Sequence, residues 1–269
     1  MYFLNAESGE SGGLNLYMYK SDLGENNVNI QKLEISSFQD FISEIATLNF
    51  NVEPKTLIYR GHKSTAFELI PGAGRKDVNL TLHEEKTIFH EFKRNYRRFY
   101  PLKLENDVDI LMLAQHYGLK TRLLDWSYNP LIALYMAVQP TSKEEEDYFK
   151  KGLARHIENF HDGEIFIRKI KETKIEEGTK TSPFDFDENT LLVPETFEIR
   201  FINQEGLFEI FSEPSQESLK GIIKKIVIKK EAKNEILKII KMLGTTKLFV
   251  YPTLENLCDE INNRYIKSE

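Results

Sequence analysis

The residues with the greatest capacity for chemistry lie in two segments of the chain. The first is the tripeptide Tyr59-Arg60-Gly61, and the second is the run from Gln115 to Tyr135, which contains the only Trp of the chain. Within that run, the polar residues His116, Arg122 and Asp125 stand among apolar residues that favour burial. Since ligand pockets are mostly apolar and hold a few polar groups in place, we expect this run to form the floor of a pocket.

Arg60 follows a short apolar run that begins at Thr56, a pattern that predicts a strand opening into a loop at Gly61. A guanidinium group at this position can bind phosphate or carboxylate through two parallel hydrogen bonds. A glycine beside it lets the chain turn away without steric cost. The alternative is a structural arginine that pairs with a buried acid at the end of the strand. These residues alone leave both interpretations open.

His116 is predicted near the end of a helix, between Gln115 and Tyr117 and just before the expected C-terminal cap Gly118. It fits a general base, a donor to phosphate, or a core histidine that bonds a backbone carbonyl. The six His show no metal-ligand spacing, and the single Cys258 excludes a disulfide framework and a multi-cysteine metal site. We therefore expect no metal ion and no tightly bound cofactor.

The segment Thr121–Trp126 predicts a short strand whose two faces both mix polar and apolar side chains. Arg122 and Leu124 face one side of such a strand, whereas Leu123 and Asp125 face the other. A cleft wall would explain this mixture. The alternative is a salt bridge between Arg122 and Asp125 that holds the strand to its neighbour, which in itself would be poor evidence of stabilisation.

A separate basic cluster, formed by Lys93, Arg94, Arg97 and Arg98, lies opposite the apolar stripe of a predicted helix. It is either the solvated face of that helix or a contact surface for nucleic-acid phosphates. The net charge of the chain is -6, so no global basic field attracts nucleic acid. The sequence contains no P-loop, no dinucleotide glycine motif and no Gly-x-Ser-x-Gly elbow.

The composition is that of a chain with an aromatic core, since 41% of its 269 residues are hydrophobic and 12% are aromatic. No run approaches the ~20 apolar residues that a membrane-spanning helix needs. The N-terminus lacks the basic region and long apolar stretch of a signal peptide. We therefore expect a cytoplasmic protein with no membrane partner.

Helix and strand patterns are mixed along the chain, which predicts an α+β fold with a mixed sheet core and flanking helices. Residues 1–34 indicate an N-terminal edge segment with a short edge strand at 14–19, and residues 35–269 indicate one domain with loop insertions at about 141–163 and 171–194. Helices are predicted near 36–45, 82–100, 107–117, 130–138, 231–243 and 254–266. Strands are predicted near 56–59, 121–126, 164–170, 197–202, 206–211, 222–228 and 247–251.

Four segments of the chain resemble the FRG domain family, named for its Phe/Tyr-Arg-Gly motif. The resemblance covers residues from about 35 to the end, and FRG proteins occur in bacteria and phages, some as parts of anti-phage or toxin-like systems. The matching segments are Leu57–Gly61 with Leu69-Ile70-Pro71 and Arg75; Leu113–Gly118 with Thr121–Trp126 and Asn129-Pro130-Leu131; Arg200, Gln204, Gly206 and Phe208; and Leu248–Pro252 with Leu254 and Leu257.

A second resemblance is to ADP-ribosyltransferases, whose NAD cleft opens with a strand that ends in Arg-Gly or His. It implies that Tyr59-Arg60-Gly61 grips the phosphate or ribose of NAD. Thr121–Trp126 and the helix start at Asn129-Pro130 would form the cleft wall, and Gln204-Glu205-Gly206 would occupy the late catalytic position. Enzymes of this class normally place a Glu there, whereas this chain has Gln204, and Glu205 would face the opposite side of an extended segment. His62 stands where the FRG family usually has Gln.

These resemblances imply an NAD-using, ADP-ribosyltransferase-like or NAD-cleaving effector in a bacterial or phage conflict system. NAD would be the substrate, a protein or nucleic acid the acceptor, and a phage component the trigger. The alternative is a non-catalytic module that binds a nucleotide, nucleic acid or protein in the same pocket. A hydrolase acting on nucleic acid, which would need a metal or a pair of carboxylates, ranks last. The implied catalytic residues are Arg60, His116, Arg122, Asp125, Gln204 and Glu205. The implied substrate-binding residues are Tyr59, Gly61, His62, Gln115, Tyr117, Thr121, Trp126, Asn129 and Arg200.

Overall fold

A single eight-stranded sheet organises the chain. The computed structural model describes residues 17–21, 30–50, 52–53, 55–139, 161–174, 182–194 and 198–266. The strands are β1 (Tyr17–Ser21), β2 (Gln31–Ile35), β3 (Leu57–His62), β4 (Leu123–Ser127), β5 (Gly163–Lys174), β6 (Thr190–Leu192), β7 (Gly206–Ile210) and β8 (Ile222–Ile228). Their order in the sheet is β1-β6-β7-β4-β3-β5-β8-β2.

The first strand closes part of this sheet on itself. β1 pairs with β6 and also with the second half of β5, so the pairings of β1, β6, β7, β4, β3 and β5 run in a closed circuit. The predicted edge strand at 14–19 is therefore wrong in its role, because β1 has a partner on both sides. The edge of the sheet is instead β2, which pairs in parallel with β8.

The interior of the six-strand circuit is an apolar core around a buried ion pair. Most of the apolar side chains come from strands of the circuit, and Ile222 of β8 and the loop residues Leu69 and Phe211 pack with them. They are Ile58, Leu69, Leu124, Trp126, Phe166, Ile170, Leu191, Leu207, Phe211 and Ile222. Within this core, the carboxylate of Glu209 accepts a hydrogen bond from Trp126 Nε1 at 3.1 Å and pairs with Arg168 Nη1 at 2.8 Å.

The described part of the chain contains eight α-helices. They are α1 (Phe38–Asn49), α2 (Leu82–Asn95), α3 (Asp107–His116), α4 (Pro130–Val138), α5 (Ile199–Asn203), α6 (Lys233–Met242), α7 (Lys247–Val250) and α8 (Leu254–Tyr265). Their starts follow local chemistry, since Ser37 caps α1 through the amide of Asp40 and Asn129 caps α4 through the amide of Leu131. Pro130 then occupies the first turn of α4, where a missing N–H costs nothing.

Two apolar layers hold these helices to the sheet. One layer packs α1, α4 and α6 on β3, β5, β8 and β2, and the other packs α2, α3 and α5 on β4, β6 and β7. At Gly61 the helix α4 lies directly against the backbone of β3. A Cβ atom there would lie 1.9 Å from the carbonyl oxygen of Ala133 in α4. Gly61 thus lies within a strand and lets a helix approach. The predicted turn at this glycine is wrong.

The α+β prediction with a mixed sheet and flanking helices is confirmed, and its errors fall on short apolar segments. The predicted strand at 197–202 is the helix α5 over residues 199–203, and the predicted strand at 247–251 is the helical turn α7. Short apolar runs satisfy both periodicities, so tertiary packing decides between them. The predicted loop at 171–194 contains the end of β5 and all of β6. In the predicted loop 141–163, residues 141–160 lie outside the described ranges.

Candidate functional site

The candidate site lies where β3 and β4 stop pairing. The ladder between these strands contains one residue pair, Tyr59 with Ser127. Beyond that pair, the side chain of Arg60 takes the place of a backbone partner, since its Nη1 donates to the carbonyl oxygen of Asp125. Arg60 shares the inward face of β3 with Ile58, so its side chain leaves the interior of the circuit and reaches the seam between the strands.

His62 fixes the other side of the Arg60 guanidinium group. Arg60 Nε donates to His62 Nε2 at 3.0 Å, and His62 Nδ1 lies 3.2 Å from the carbonyl oxygen of Phe67. This arrangement needs a neutral imidazole that carries its proton on Nδ1. Burial and then the nearby charge of Arg60 hold the pKa of His62 well below its usual range, in agreement with that tautomer.

Asp125 presents a half-exposed carboxylate on the outer face of β4. Its side chain is 51% exposed, and its Oδ2 lies 3.8 Å from Arg60 Nη1. Its Oδ1 accepts a hydrogen bond at 2.7 Å from Gln115 Nε2, and Gln115 Oε1 in turn accepts one from the hydroxyl of Thr121. The result is a continuous chain of hydrogen bonds that orients one carboxylate toward solvent.

Arg75 adds a second positive charge at this position. Burial lowers the pKa of Arg60 to about 10, the positive charge of Arg75 lowers it further, and the charges of Asp125 and Glu209 oppose that shift. The positive charge of Arg75, which is itself exposed, therefore acts on the Arg60 guanidinium group. Two positive charges that act at the same seam favour an anionic ligand. From the sequence, Arg75 was recognised as part of a motif but was not assigned to the site.

A second group of polar and aromatic side chains lies beside Asp125 at the end of α3. His116 Nε2 is 4.0 Å from Glu198 Oε2, and the His116 ring lies edge-on to Tyr117 at 4.8 Å. Burial and then Arg200 lower the pKa of His116, against the opposing charges of Glu198 and Asp125. Among the described residues, His116 Nδ1 has no hydrogen-bond partner. Sequence reasoning missed Glu198, which stands alone before a helix that was predicted as a strand.

The late segment expected to carry the catalytic acid forms a turn rather than a strand. Gln204 ends α5, and its Nε2 donates to the carbonyl oxygen of Val250 at 2.8 Å. Ser127 Oγ donates to the carbonyl oxygen of Gln204 at 2.6 Å, so this turn is bound to the end of β4. Glu205 has a left-handed backbone with φ 44°, and its exposed carboxylate accepts a long hydrogen bond of 3.3 Å from Asn129 Nδ2.

Four of the residues expected in the site lie elsewhere. Arg122 is buried and forms a two-pronged ion pair with Glu85, with distances of 2.7 and 3.0 Å, so the predicted alternative of an Arg122–Asp125 salt bridge is wrong. Tyr59 points into the apolar layer between the sheet and the helices α1, α4 and α6, where its hydroxyl accepts a hydrogen bond from Asn49. Trp126 faces the interior of the strand circuit, and Gly61 faces α4.

The described ranges contain no group of three His, Cys, Asp or Glu side chains arranged to hold a metal ion. None of the helices in those ranges is long and apolar enough to cross a bilayer.

Comparison with known proteins gives one match. Residues 55–146 match the family model described as FRG domain, a range that includes both Arg60 and the Gln115–Tyr135 run. No curated protein and no solved structure matches the chain. The predicted FRG domain is thereby confirmed, and its match contains Arg60, Arg75, Gln115 and Asp125.

Proposed function

We propose that this chain, which carries an FRG domain at residues 55–146, binds a dinucleotide of the NAD type at the β3–β4 seam and breaks its bond between nicotinamide and ribose. The ADP-ribosyl group then passes to water or to an acceptor. In this proposal the chain is an effector of a bacterial or phage conflict system, as its family resemblance implies.

The observation that carries the proposal is the orientation of Asp125. A carboxylate on a strand is normally free to rotate, but Gln115 and Arg60 hold this one in place while half of its surface stays open to solvent. An oriented carboxylate at a solvent-facing seam can bond a ribose hydroxyl and stabilise positive charge that develops on the sugar. It replaces Glu205 as the acid of the proposed reaction.

The arginines supply the complementary contact for the phosphates. Arg60 is held at the seam by His62 and the Asp125 backbone, and the exposed Arg75 contributes its positive charge there. A pyrophosphate carries two negative charges, which would offset the positive charges of Arg60 and Arg75. The two ends of the seam thus suit the two charged parts of the substrate, the anionic pyrophosphate and the cationic nicotinamide ribose.

The proposed reaction balances without a redox partner. The bond between ribose C1′ and the nicotinamide nitrogen breaks, and both electrons leave with nicotinamide, which becomes neutral. The oxygen of water, or a nucleophilic atom of the acceptor, forms the new bond to C1′ and releases its proton to solvent. The Asp125 carboxylate stabilises the positive charge of the transition state.

The position of Gln204 favours a second candidate function, a non-catalytic nucleotide-binding module. Its amide is bound to Val250, and Glu205 lies on an exposed turn, so neither residue matches a transferase acid. This module would use the same seam, with Asp125 and Arg60 as binding residues. The two candidates differ only in whether bound NAD is turned over.

Incubation of the purified chain with NAD labelled in the adenylate part tests both candidates. We expect release of free nicotinamide, measured by chromatography, and loss of that release in Asp125→Asn. Asp259→Asn is the matched control, since Asp259 is 58% exposed and also has one basic partner, Lys247. The reactions are run with and without extract of phage-infected cells to supply a trigger.

The two candidates give different results in this experiment. Absence of nicotinamide release and of label transfer under all conditions would exclude the enzyme. If calorimetry then shows NAD binding that Asp125→Asn and Arg60→Ala abolish, the binding module is correct. If the wild-type chain also fails to bind NAD, both candidates are excluded.

A further inference from the structure

Three exposed arginines at the end of α2 have no ion-pair partner in the described part of the chain. Arg94 lies in the last turn of the helix, and Arg97 and Arg98 lie in the 3-10 turn that follows. All three side chains are exposed, and no described carboxylate is within ion-pair distance of them. Nearby lysines differ, since Lys93 pairs with Asp107 at 2.5 Å and Lys103 pairs with Glu105 at 3.0 Å.

The helix dipole accounts for only part of this cluster. Cations near a helix C-terminus are stabilised by the partial negative charge of the last carbonyl groups, and this effect fades beyond the last turn. It would favour one or two basic residues there. It gives no reason to concentrate three guanidinium groups in five positions of a chain whose net charge is -6.

Exposed aromatic rings border the arginines. Phe99 directly follows Arg98 and is 88% exposed, and Tyr117 at the end of α3 is 63% exposed. Tyr100 connects these two positions, because its ring contacts that of Tyr117 at 6.4 Å. Aromatic rings that lie in water beside positive charges are typical of surfaces that bind single-stranded nucleic acid, where bases stack and phosphates pair.

This surface is continuous with the candidate site. The ring of Tyr117 lies 4.8 Å from that of His116, and the preceding residue, Gln115, bonds the carboxylate of Asp125 at 2.7 Å. A strand bound along the arginines and stacked on Tyr117 would therefore lead to the oriented carboxylate.

We propose that Arg94, Arg97, Arg98, Phe99 and Tyr117, which we call the basic aromatic surface, bind single-stranded nucleic acid and present it as the acceptor of the ADP-ribosyl group. The guanidinium groups bind phosphates, and the two rings stack on bases. The role as an acceptor rests on the proposed function, whereas binding itself does not. A single strand is favoured over a duplex because stacking on Phe99 and Tyr117 needs base faces that a duplex conceals.

Binding of a fluorescein-labelled single-stranded DNA of mixed sequence, followed by anisotropy without NAD, tests the surface. We expect the triple variant R94Q/R97Q/R98Q to bind at least about tenfold more weakly. The slope of log affinity against log salt should fall by about 2, because each phosphate that an arginine neutralises contributes about 0.7 to that slope. The matched control is K230Q/K238Q/K241Q, which removes the same charge from three exposed lysines around α6. It should bind as the wild type does.

Two further variants separate stacking from charge. Phe99→Ala keeps every charge and should weaken binding by about tenfold, because one base no longer has a ring to stack on. A labelled duplex of the same sequence should bind more weakly than the single strand. Equal binding of duplex and single strand together with no effect of Phe99→Ala overturns the proposal, and so does an equal decrease in affinity in the arginine and lysine variants. Competition by polyglutamate as effective as that by unlabelled DNA would instead assign the surface to acidic protein partners.

The binding experiment and the nicotinamide-release experiment together distinguish this inference from the proposed function. Asp125→Asn should bind the labelled strand at least as tightly as the wild type does, because the Asp125 carboxylate supplies no phosphate contact and no stacking ring. If DNA binds with the expected variant effects but no nicotinamide is released, the surface is supported and the enzyme is excluded. If nicotinamide is released but the strand does not bind, the surface is excluded and the enzyme is unaffected.

Discussion

Two arginine–carboxylate pairs lie close to β4, and they differ in what surrounds them. Arg122 and Glu85 have side-chain exposures of 3% and 5%, and the guanidinium group also donates to the carbonyl oxygen of Phe211. Arg60 and Asp125 have exposures of 14% and 51%, and only one carboxylate oxygen lies near the arginine. The first pair is closed by α2, whereas the second is left open at a seam between strands.

The comparison shows that residue type did not decide which pair is available to a ligand. Both arginines suit bidentate recognition of an anion, and Arg122 and Asp125 lie only three positions apart. Arg122 has used its donors within the protein. Asp125 keeps open acceptor positions on a carboxylate that Gln115 orients.

The largest expected effect on stability concerns the closed pair. Glu85→Ala should lower the free energy of unfolding by about 3–5 kcal/mol, because it leaves the Arg122 guanidinium buried without its counter-ion. Urea denaturation followed by circular dichroism measures this change. Glu91→Ala is the control, since Glu91 is exposed on the same helix and should change stability by less than about 0.5 kcal/mol. Equal effects of the two substitutions would show that the buried Arg122–Glu85 pair is not needed for stability.

Substitution in the open pair, Arg60 and Asp125, should have little effect on stability and a large effect on activity. Asp125→Asn should change the free energy of unfolding by less than about 1 kcal/mol, since its side chain is half exposed. Nicotinamide release should fall by about 10²–10³-fold, the usual effect of removing one group that stabilises transition-state charge. Denaturation and chromatography on the same preparation measure both quantities. A decrease in stability that accounts for the decrease in activity would make the open pair structural, like the closed one.

The pH dependence of stability should reveal the neutral imidazole beside Arg60. The pKa of His62 is lowered in the folded chain, so below about pH 6.5 only the unfolded chain takes up this proton. The free energy of unfolding should then fall as the pH falls, by up to about 1.4 kcal/mol per pH unit from this residue. His116, whose pKa is also lowered, contributes in the same direction. Urea unfolding between pH 7.5 and 5 measures the slope.

His62→Gln removes the His62 contribution and places the residue that the FRG family usually has at this position. Its stability should depend less steeply on pH than that of the wild type. His83→Gln, which changes an exposed histidine, should leave the slope as it is. Parallel curves for wild type and His62→Gln would mean that His62 is not held neutral.

The smallest expected effect concerns Glu205. Glu205→Gln should change the free energy of unfolding by less than about 0.5 kcal/mol, because the side chain is exposed and its bond to Asn129 is long. Nicotinamide release should also be retained, since Asp125 supplies the proposed acid. A decrease in nicotinamide release as large as that of Asp125→Asn would show that Glu205, and not Asp125 alone, takes part in catalysis.

Local signals in the sequence determined much of the fold correctly. Ser37 and the Asn129-Pro130 pair begin helices as expected, and Gly118 and Gly244 follow helix ends with positive φ. These features depend on hydrogen bonds and steric limits within a few residues, which a sequence contains in full. The helices α5 and α7 were missed because their apolar residues are too few to show a period.

Several residues of the candidate site could be predicted from the sequence, but the contacts between them could not. Arg60, Gln115 and Asp125 were named from the sequence, and the structure joins them through hydrogen bonds. Arg75 and Glu198 were not assigned to the site, because no periodicity or motif chemistry distinguishes them from surface charges. Their proximity depends on how the loop after β3 and the start of α5 pack against β4.

The sequence by itself determined that residues 55–146 match the FRG domain model and that polar residues stand in the apolar run from Gln115 to Tyr135. Those properties reside in residue types and their order, which folding does not change. Only the tertiary structure decided that Arg122 pairs with Glu85, that Arg60 reaches Asp125, and that Gly61 admits α4. Each of these contacts joins residues far apart in the chain, so the pairing follows from sheet register and helix packing rather than from any local pattern.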